Sequence, residues 1–197
     1  MTTIAVAPVV EGHGEIAAVP ILVRRIFSEL HAQTDVEVLR PIRVPRTKLI
    51  KPLDLARAVS LADLKLKNVV AQRRLVLIVF DADEDSACQL APILLDKVQG
   101  DRPDVDVALV LAVPEYETWF VAAAESLTQY LAVLPLEVPL NPEAVRAKKA
   151  WVQSHFRGRY TETIEQPALT ARMDLRMCRS RAASFDKLCR ELEKRIL

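Results

Sequence analysis

At 197 residues, with 51% hydrophobic side chains, 27% charged side chains and only 4 glycines, the chain suits one ordinary domain with an extension and is too apolar for a disordered protein. Its 27 basic and 26 acidic residues leave a formal net charge of +1, so attraction to a polyanion has to come from local clustering rather than from a global field. No apolar run reaches the roughly 20 residues of a membrane span, and the amino terminus lacks the basic start and long apolar core of a signal peptide; a soluble, cytoplasmic protein without membrane partners is expected.

Thr3 to Val10 is an apolar, β-branched run that reads as a strand buried on both faces, and it ends at Glu11-Gly12. Glu15 to His31 has helical spacing, with Pro20 only a turn inside, where a missing N–H is tolerated. Val36 to Leu39 predicts a short second strand. Pro41 to Pro52 reads as a loop, and Arg40, Arg43, Arg46, Lys48 and Lys51 stand in and around it without an acidic residue. Asp54 is the expected cap of a helix running to about Gln72. Leu75 to Phe80 is the clearest buried strand, and it runs into the acidic sequence Asp81-Ala82-Asp83-Glu84-Asp85.

A helix from Ala87 to about Val98, a strand from Val105 to Val113 and a helix from Glu115 to Ala124 follow. Beyond Pro142 the pattern predicts only helices and loops, over Pro142 to His155, Pro167 to Cys178 and Ala182 to Leu197. Four alternations of strand and helix predict an α/β fold, with a central, mainly parallel sheet of about four strands and helices on both faces. We place this domain at residues 1–125 and a helical extension packed on it at 126–197. Cys88, Cys178 and Cys189 are far apart with no CxxC spacing, which predicts reduced thiols and no zinc site. Trp119 shares helical spacing with apolar neighbours and is expected in the core, while Ser180, Ser184 and Phe185 read as a helix start packed on the sheet.

An open parallel sheet delivers the loop after every strand to one edge. Glu11, Asp81, Asp83, Glu115 and Glu117 therefore share an address. Crowded carboxylates repel each other, and a hard divalent cation with oxygen ligands resolves that repulsion. In Glu11-Gly12-His13-Gly14-Glu15, two glycines allow close backbone approach at a helix start, which makes Gly12 and Gly14 candidates for phosphate contacts. Arg46, Lys48 and Lys51 would grip phosphates from the loop after the second strand. From Arg146 to Arg181 nine basic residues stand against three acidic ones. The plainer alternative is that the acids only cap helices and the bases only form a solvated face.

Glu11-Gly12 after the first strand and Asp81-Ala82-Asp83 after the third resemble the TOPRIM domain shared by topoisomerases, primases and the overcoming-lysogenization-defect nucleases. Glu15 fits the second glutamate of the nuclease-like variant. The order of these motifs with Glu117-Thr118-Trp119 and Ser180 to Phe185 also resembles a family of small bacterial TOPRIM-like proteins of unassigned function. The resemblance covers almost the whole chain. It implies a Rossmann-like TOPRIM fold and Mg2+- or Mn2+-dependent phosphodiester hydrolysis of nucleic acid, in defence or repair. By the same likeness Glu11 is the general acid or base or a metal ligand and Asp81 and Asp83 are metal ligands, so that with Glu15 these four form the catalytic set; the strand order adds Glu117 as an outer member of the metal set, in which Asp85 of the acidic run is also counted. A topoisomerase would need a tyrosine nucleophile in a separate domain, for which the chain has no room, so a nuclease is the preferred expectation. A receiver-like phosphoacceptor domain and a non-catalytic metal-binding partner protein stand as alternatives, and a homodimer is compatible with either.

Overall fold

The computed structural model describes residues 2–31, 34–132, 138–145 and 148–196. Strand β1 (Thr2–Val10) shows why its sequence makes the centre of a sheet. Ile4, Val6 and Val10 face one hydrophobic layer while Ala5, Ala7 and Val9 face another, the period of two that a strand imposes. Strand β4 (Arg73–Asp81) repeats the division, with Leu75, Leu77 and Val79 on the first side and Val76, Ile78 and Phe80 on the second. In β5 (Val107–Ala112) the two sets are Ala108, Val110, Ala112 and Val107, Leu109, Leu111.

The strands β2 (Thr34–Val38) and β3 (Ile42–Arg43) complete a parallel sheet in the order β2-β1-β4-β5, with β3 also paired to β1. The α/β expectation is met. On both sides of β3 the chain stays beside β1, since Leu39 N–H donates to Val6 O (2.9 Å) and Val44 N–H to Val10 O (2.8 Å). Two residues are too few to show alternation, so β3 was invisible in a segment read as loop. The four-residue helix α2 (Arg46–Leu49) follows in the same segment, pinned by the buried Leu49.

Helix α3 (Pro52–Lys67) and helix α4 (Ala87–Asp101) cover one face of the sheet. Asp54, expected as the cap of α3, lies in its first turn instead. Lys51 holds the cap position and Pro52 the first helical one, where a fixed φ and a missing N–H suit the helix start. The other face is covered by α1 (Glu15–Leu30), by the short α5 (Thr118–Ala122) and by α6 (Lys148–His155), α7 (Glu162–Thr170), α8 (Leu175–Arg181) and α9 (Ala183–Glu193). The carboxy-terminal helices thus share one core with the sheet.

The predicted helix from Pro167 to Cys178 is two helices. Met173 turns inward to full burial, and Asp174 caps α8 by accepting the Met177 N–H (2.9 Å). Arg25 on α1 fastens this junction by donating to the carbonyls of Thr170 (2.7 Å) and Met173 (2.8 Å). Trp119 is fully buried, its indole N–H donates to Ser184 Oγ (3.0 Å), and its ring meets Phe185 at 5.3 Å. The three cysteines are free thiols. Among the described residues no helix is long and apolar enough to cross a membrane.

Candidate functional site

The strand order places a topological switch point between β1 and β4: the chain leaves β1 toward β2 on one side and returns to β4 on the other. At such a point the loops after two neighbouring strands part, and a crevice opens at their carboxyl ends. Glu11 is the first residue after β1, and Asp81 is the last of β4. Glu15 opens α1, and Glu117 sits at the cap of α5 just after β5. Four carboxylates from three strand ends therefore face one another.

Glu15 is only 3% exposed, and its Oε2 accepts the N–H groups of Glu11 and Gly12, both at 2.9 Å. Burial, with the charges of Glu11 and Glu117 behind it, pushes its pKa up to about 7 against the pull of those two amides. Asp81 accepts the Tyr116 N–H on Oδ1 (2.9 Å). Burial and the carboxylates of Glu15, Glu117 and Glu11 hold it well above the usual aspartate range. Glu117 is 1% exposed and accepts the Tyr160 O–H on Oε1 (2.8 Å); burial raises its pKa and the Lys149 ammonium opposes the rise. Glu11 is raised by burial and by Asp83, and its Oε2 is buried with no hydrogen-bond partner among the described residues.

The donors are all hard oxygens, one is orphaned, and Glu15 and Asp81 are each raised by other carboxylates of the cluster, which is the chemistry a divalent cation such as Mg2+ satisfies. Among the described residues no three acidic, histidine or cysteine side chains form a ready-made cage, because Glu15, Asp81 and Glu117 are each turned onto a donor of the chain. The fit is one of donor type and position.

Asp83 and Asp85 are paired outside the four carboxylates, although Asp83 lies close enough to Glu11 to raise it. Both are held by Arg46, whose Nε lies 2.9 Å from Asp83 Oδ2 and whose Nη2 pairs with Asp85. Arg46 also donates to the carbonyls of Asp81 (3.1 Å) and Ala82 (3.0 Å), so its cation, read from sequence as a phosphate contact, is engaged by the acidic loop itself. Lys48 and Lys51 are exposed. Lys48, Arg43 and Arg57 rim a groove of about 320 Å³ floored by Ile42, Val44, Pro45, Ala58 and Leu61. Arg43 reaches back to the Glu11 carbonyl (3.4 Å). The basic count that began at Arg146 includes a position outside the described residues.

The two glycines of the turn do different work. A Cβ on Gly14 would fall 2.1 Å from Gln166 Oε1 and 2.7 Å from the Glu162 carbonyl oxygen, whereas one on Gly12 would meet nothing closer than 3.5 Å. Gly14 thus lets α7 dock on the turn. Gly14→Ala is expected to destabilise the protein by about 1–3 kcal/mol, as overpacking does, and Gly12→Ala by under about 0.5 kcal/mol. Equal midpoints for the two variants in urea unfolding would show that this contact does not limit the packing.

Tyr160 and Lys149 complete the site, and sequence reasoning gave them no such place. Lys149 pairs with Glu162 (2.6 Å), and its ammonium is held charged by Glu162, Glu117 and Asp81. Neither lies near the motifs in sequence; only the return of the carboxy-terminal helices over the switch point brings them there. Tyr160→Phe leaves a buried carboxylate without its donor and is expected to cost about 1–3 kcal/mol in urea unfolding at pH 7. An unchanged free energy would mean that the phenol does not stabilise Glu117.

Fold and site together define an α/β protein with a buried carboxylate cluster at the switch point of a parallel sheet. A family model matches residues 10–193, and the chain belongs to that family, DUF4276, a domain of unknown function. No curated protein and no solved structure matches it.

Proposed function

We propose that this protein is a TOPRIM-like, Mg2+- or Mn2+-dependent phosphodiester hydrolase acting on nucleic acid. The observation that carries the reading is the convergence of Glu11, Glu15, Asp81 and Glu117 at the switch point, with one buried oxygen left unsatisfied. Glu11 and Asp81 would hold the ion with Glu117 behind them, and the ion would neutralise charge developing on a phosphate. Glu15 has a different role open to it. Its Oε2 takes two amide hydrogen bonds, Oε1 takes none from the described residues, and its proton comes off near pH 7, which suits transfer of a proton to or from the reacting group.

The groove beside β3 supports nucleic acid as the substrate. Three cations and one acid surround an apolar floor, so phosphates find the rim and sugar or base the floor. Arg43 pairs with Val10 in the sheet, which sets this groove one strand spacing from Glu11. Lys48→Ala is expected to weaken oligonucleotide binding uniformly across sequences and to lower the slope of log affinity against log salt by about 0.7–0.9. An unchanged slope would remove Lys48 from the binding surface.

Cleavage of single- and double-stranded DNA and RNA with Mg2+ or Mn2+, compared between wild type and Asp81→Ala, tests the whole reading. Wild type is expected to cut at least one of these polymers and the variant none. Failure of wild type on all four with both ions would overturn it. Lys149, whose ammonium feels the Asp81 charge although it pairs with Glu162, gives a second reading one observation in its favour, since a phosphoacceptor aspartate uses a neighbouring lysine. Labelling of Asp81 by a small phosphodonor would establish that reading in place of the first.

A further inference from the structure

Arg46 holds more partners than any other side chain near the site. Its side chain is 16% exposed, against 49% for Asp83 and 54% for Asp85, and its Cζ lies 5.7 Å from the centre of the Phe80 ring. The planar fork spends its donors on two carboxylates and two carbonyls of one loop. This geometry suits guanidinium and no other side chain. Asp83 has a positive φ of 52°, sparsely populated outside glycine though tolerated by aspartate, and its N–H donates to Pro114 O (2.9 Å). The loop is thus fixed from both sides with Asp83 presented to Arg46. Even so, Asp83 is close enough to Glu11 to be the main charge raising it, and Arg46 is the main charge lowering it.

From this, and resting on the metal reading of the site, we infer that Arg46 is a resident counter-cation which a divalent ion displaces: entry of the ion transfers Asp83 from the guanidinium to the metal. The exchange is balanced by what Arg46 keeps. After losing Asp83 it still holds Asp85 and the carbonyls of Asp81 and Ala82, so no buried cation is stranded, and the loop stays anchored while one carboxylate changes partner. Arg46 is therefore a positioning residue that sets how readily the site accepts metal.

Mn2+ affinity of the full chain by isothermal titration calorimetry tests this without reference to activity. Arg46→Gln is expected to tighten Mn2+ binding about tenfold, the effect of removing a unit charge roughly 6 Å from a divalent ion under water-like screening. In wild type, Asp83→Asn is expected to change affinity by less than about threefold, because the ion loses a ligand but no longer has to break the Arg46 pair. In the Arg46→Gln background the same change should cancel the tenfold gain, a coupling that independent sites do not show. A purely structural Arg46 predicts equal or weaker binding in Arg46→Gln and additive effects, and either result overturns the inference.

A measurement on wild type guards against a variant that fails to fold. The Arg46 Nε–H resonance, assigned by its loss in Arg46→Lys, is expected to shift on saturation with Mg2+, and an unmoved resonance counts against displacement. If wild type binds Mn2+, Asp81→Asn does not, and Arg46→Gln binds no tighter, this inference alone falls. If neither wild type nor Arg46→Gln binds Mn2+, the metal reading of the site falls with it.

Discussion

Asp81→Asn is expected, on the proposed function, to lower metal-dependent phosphodiester cleavage by at least about 10²-fold, since a metal ligand would contribute several kcal/mol of charge stabilisation, and at the same time to raise the unfolding free energy at pH 8 in chelator. The two effects have opposite signs for one reason. Asp81 is pressed by burial and by Glu15, Glu117 and Glu11 toward its neutral form, so an ionised Asp81 is costly in the cation-free protein. Asn keeps a carbonyl oxygen for the Tyr116 N–H that Asp81 accepts at 2.9 Å and removes the charge. A structural aspartate gives the reverse pattern, lost stability with little change in cleavage. Urea unfolding beside a cleavage assay on the same preparation separates them: a variant that is less stable and still cuts would sink the assignment of Asp81 to the metal.

How much of this was legible beforehand depends on where the information lay in the chain. The sheet was legible because β1, β4 and β5 are long runs with both faces apolar, and parallel order followed from the helices between them. Glu11, Asp81 and Glu117 could be placed at one edge for the same reason. What the order β2-β1-β4-β5 adds is that Glu11 and Asp81 flank the switch point on adjacent strands, a fact of pairing that periodicity does not encode.

Other assignments depended on contacts across the fold. Arg46 looked like a phosphate ligand because it stood in a basic stretch with no acid; the acids it pairs with, Asp83 and Asp85, arrive from a different strand end. Gly14 looked like room for a phosphate, and that room belongs to α7. Tyr160 carries no local signal of a site, yet its hydroxyl meets Glu117, 43 positions away in the chain. Local pattern placed the backbone edge well; which charge pairs with which is a long-range property.

The dependence of stability on pH and on metal offers the second large effect. Glu15 titrates near pH 7 in the folded protein against an ordinary 4.5, and Asp81, Glu117 and Glu11 shift the same way. Between those values the folded chain binds more protons than the unfolded one, so stability declines as pH rises through the window from about 4.5 to about 7 and stays low above it. Glu15 alone accounts for about 3 kcal/mol of that decline. Other carboxylates are shifted the opposite way: Glu191, held by Lys187, Lys194 and Arg195, is lowered to about 2, and Asp63, Glu125 and Glu193 are lowered by basic partners. Their contribution is present at neutral pH and lost only as pH falls through their low folded values. The two groups of carboxylates together predict maximal stability near pH 5 in chelator.

Mg2+ should change this profile most where protons have left the site. At pH 8 an ion present at 100 times its dissociation constant adds about 2.7 kcal/mol; at pH 5, below the folded value of Glu15, protons compete with the ion and the same concentration should add less. Glu15→Gln should flatten the decline between pH 5 and pH 8 by its own share, because an amide carries no charge at either end. Urea unfolding of wild type and Glu15→Gln at both pH values, each with chelator and with Mg2+, gives eight midpoints that fix the matter. A wild-type midpoint that rises toward pH 8 in chelator, or one that Mg2+ shifts equally at both pH values, would show that the four carboxylates do not act as one charged site.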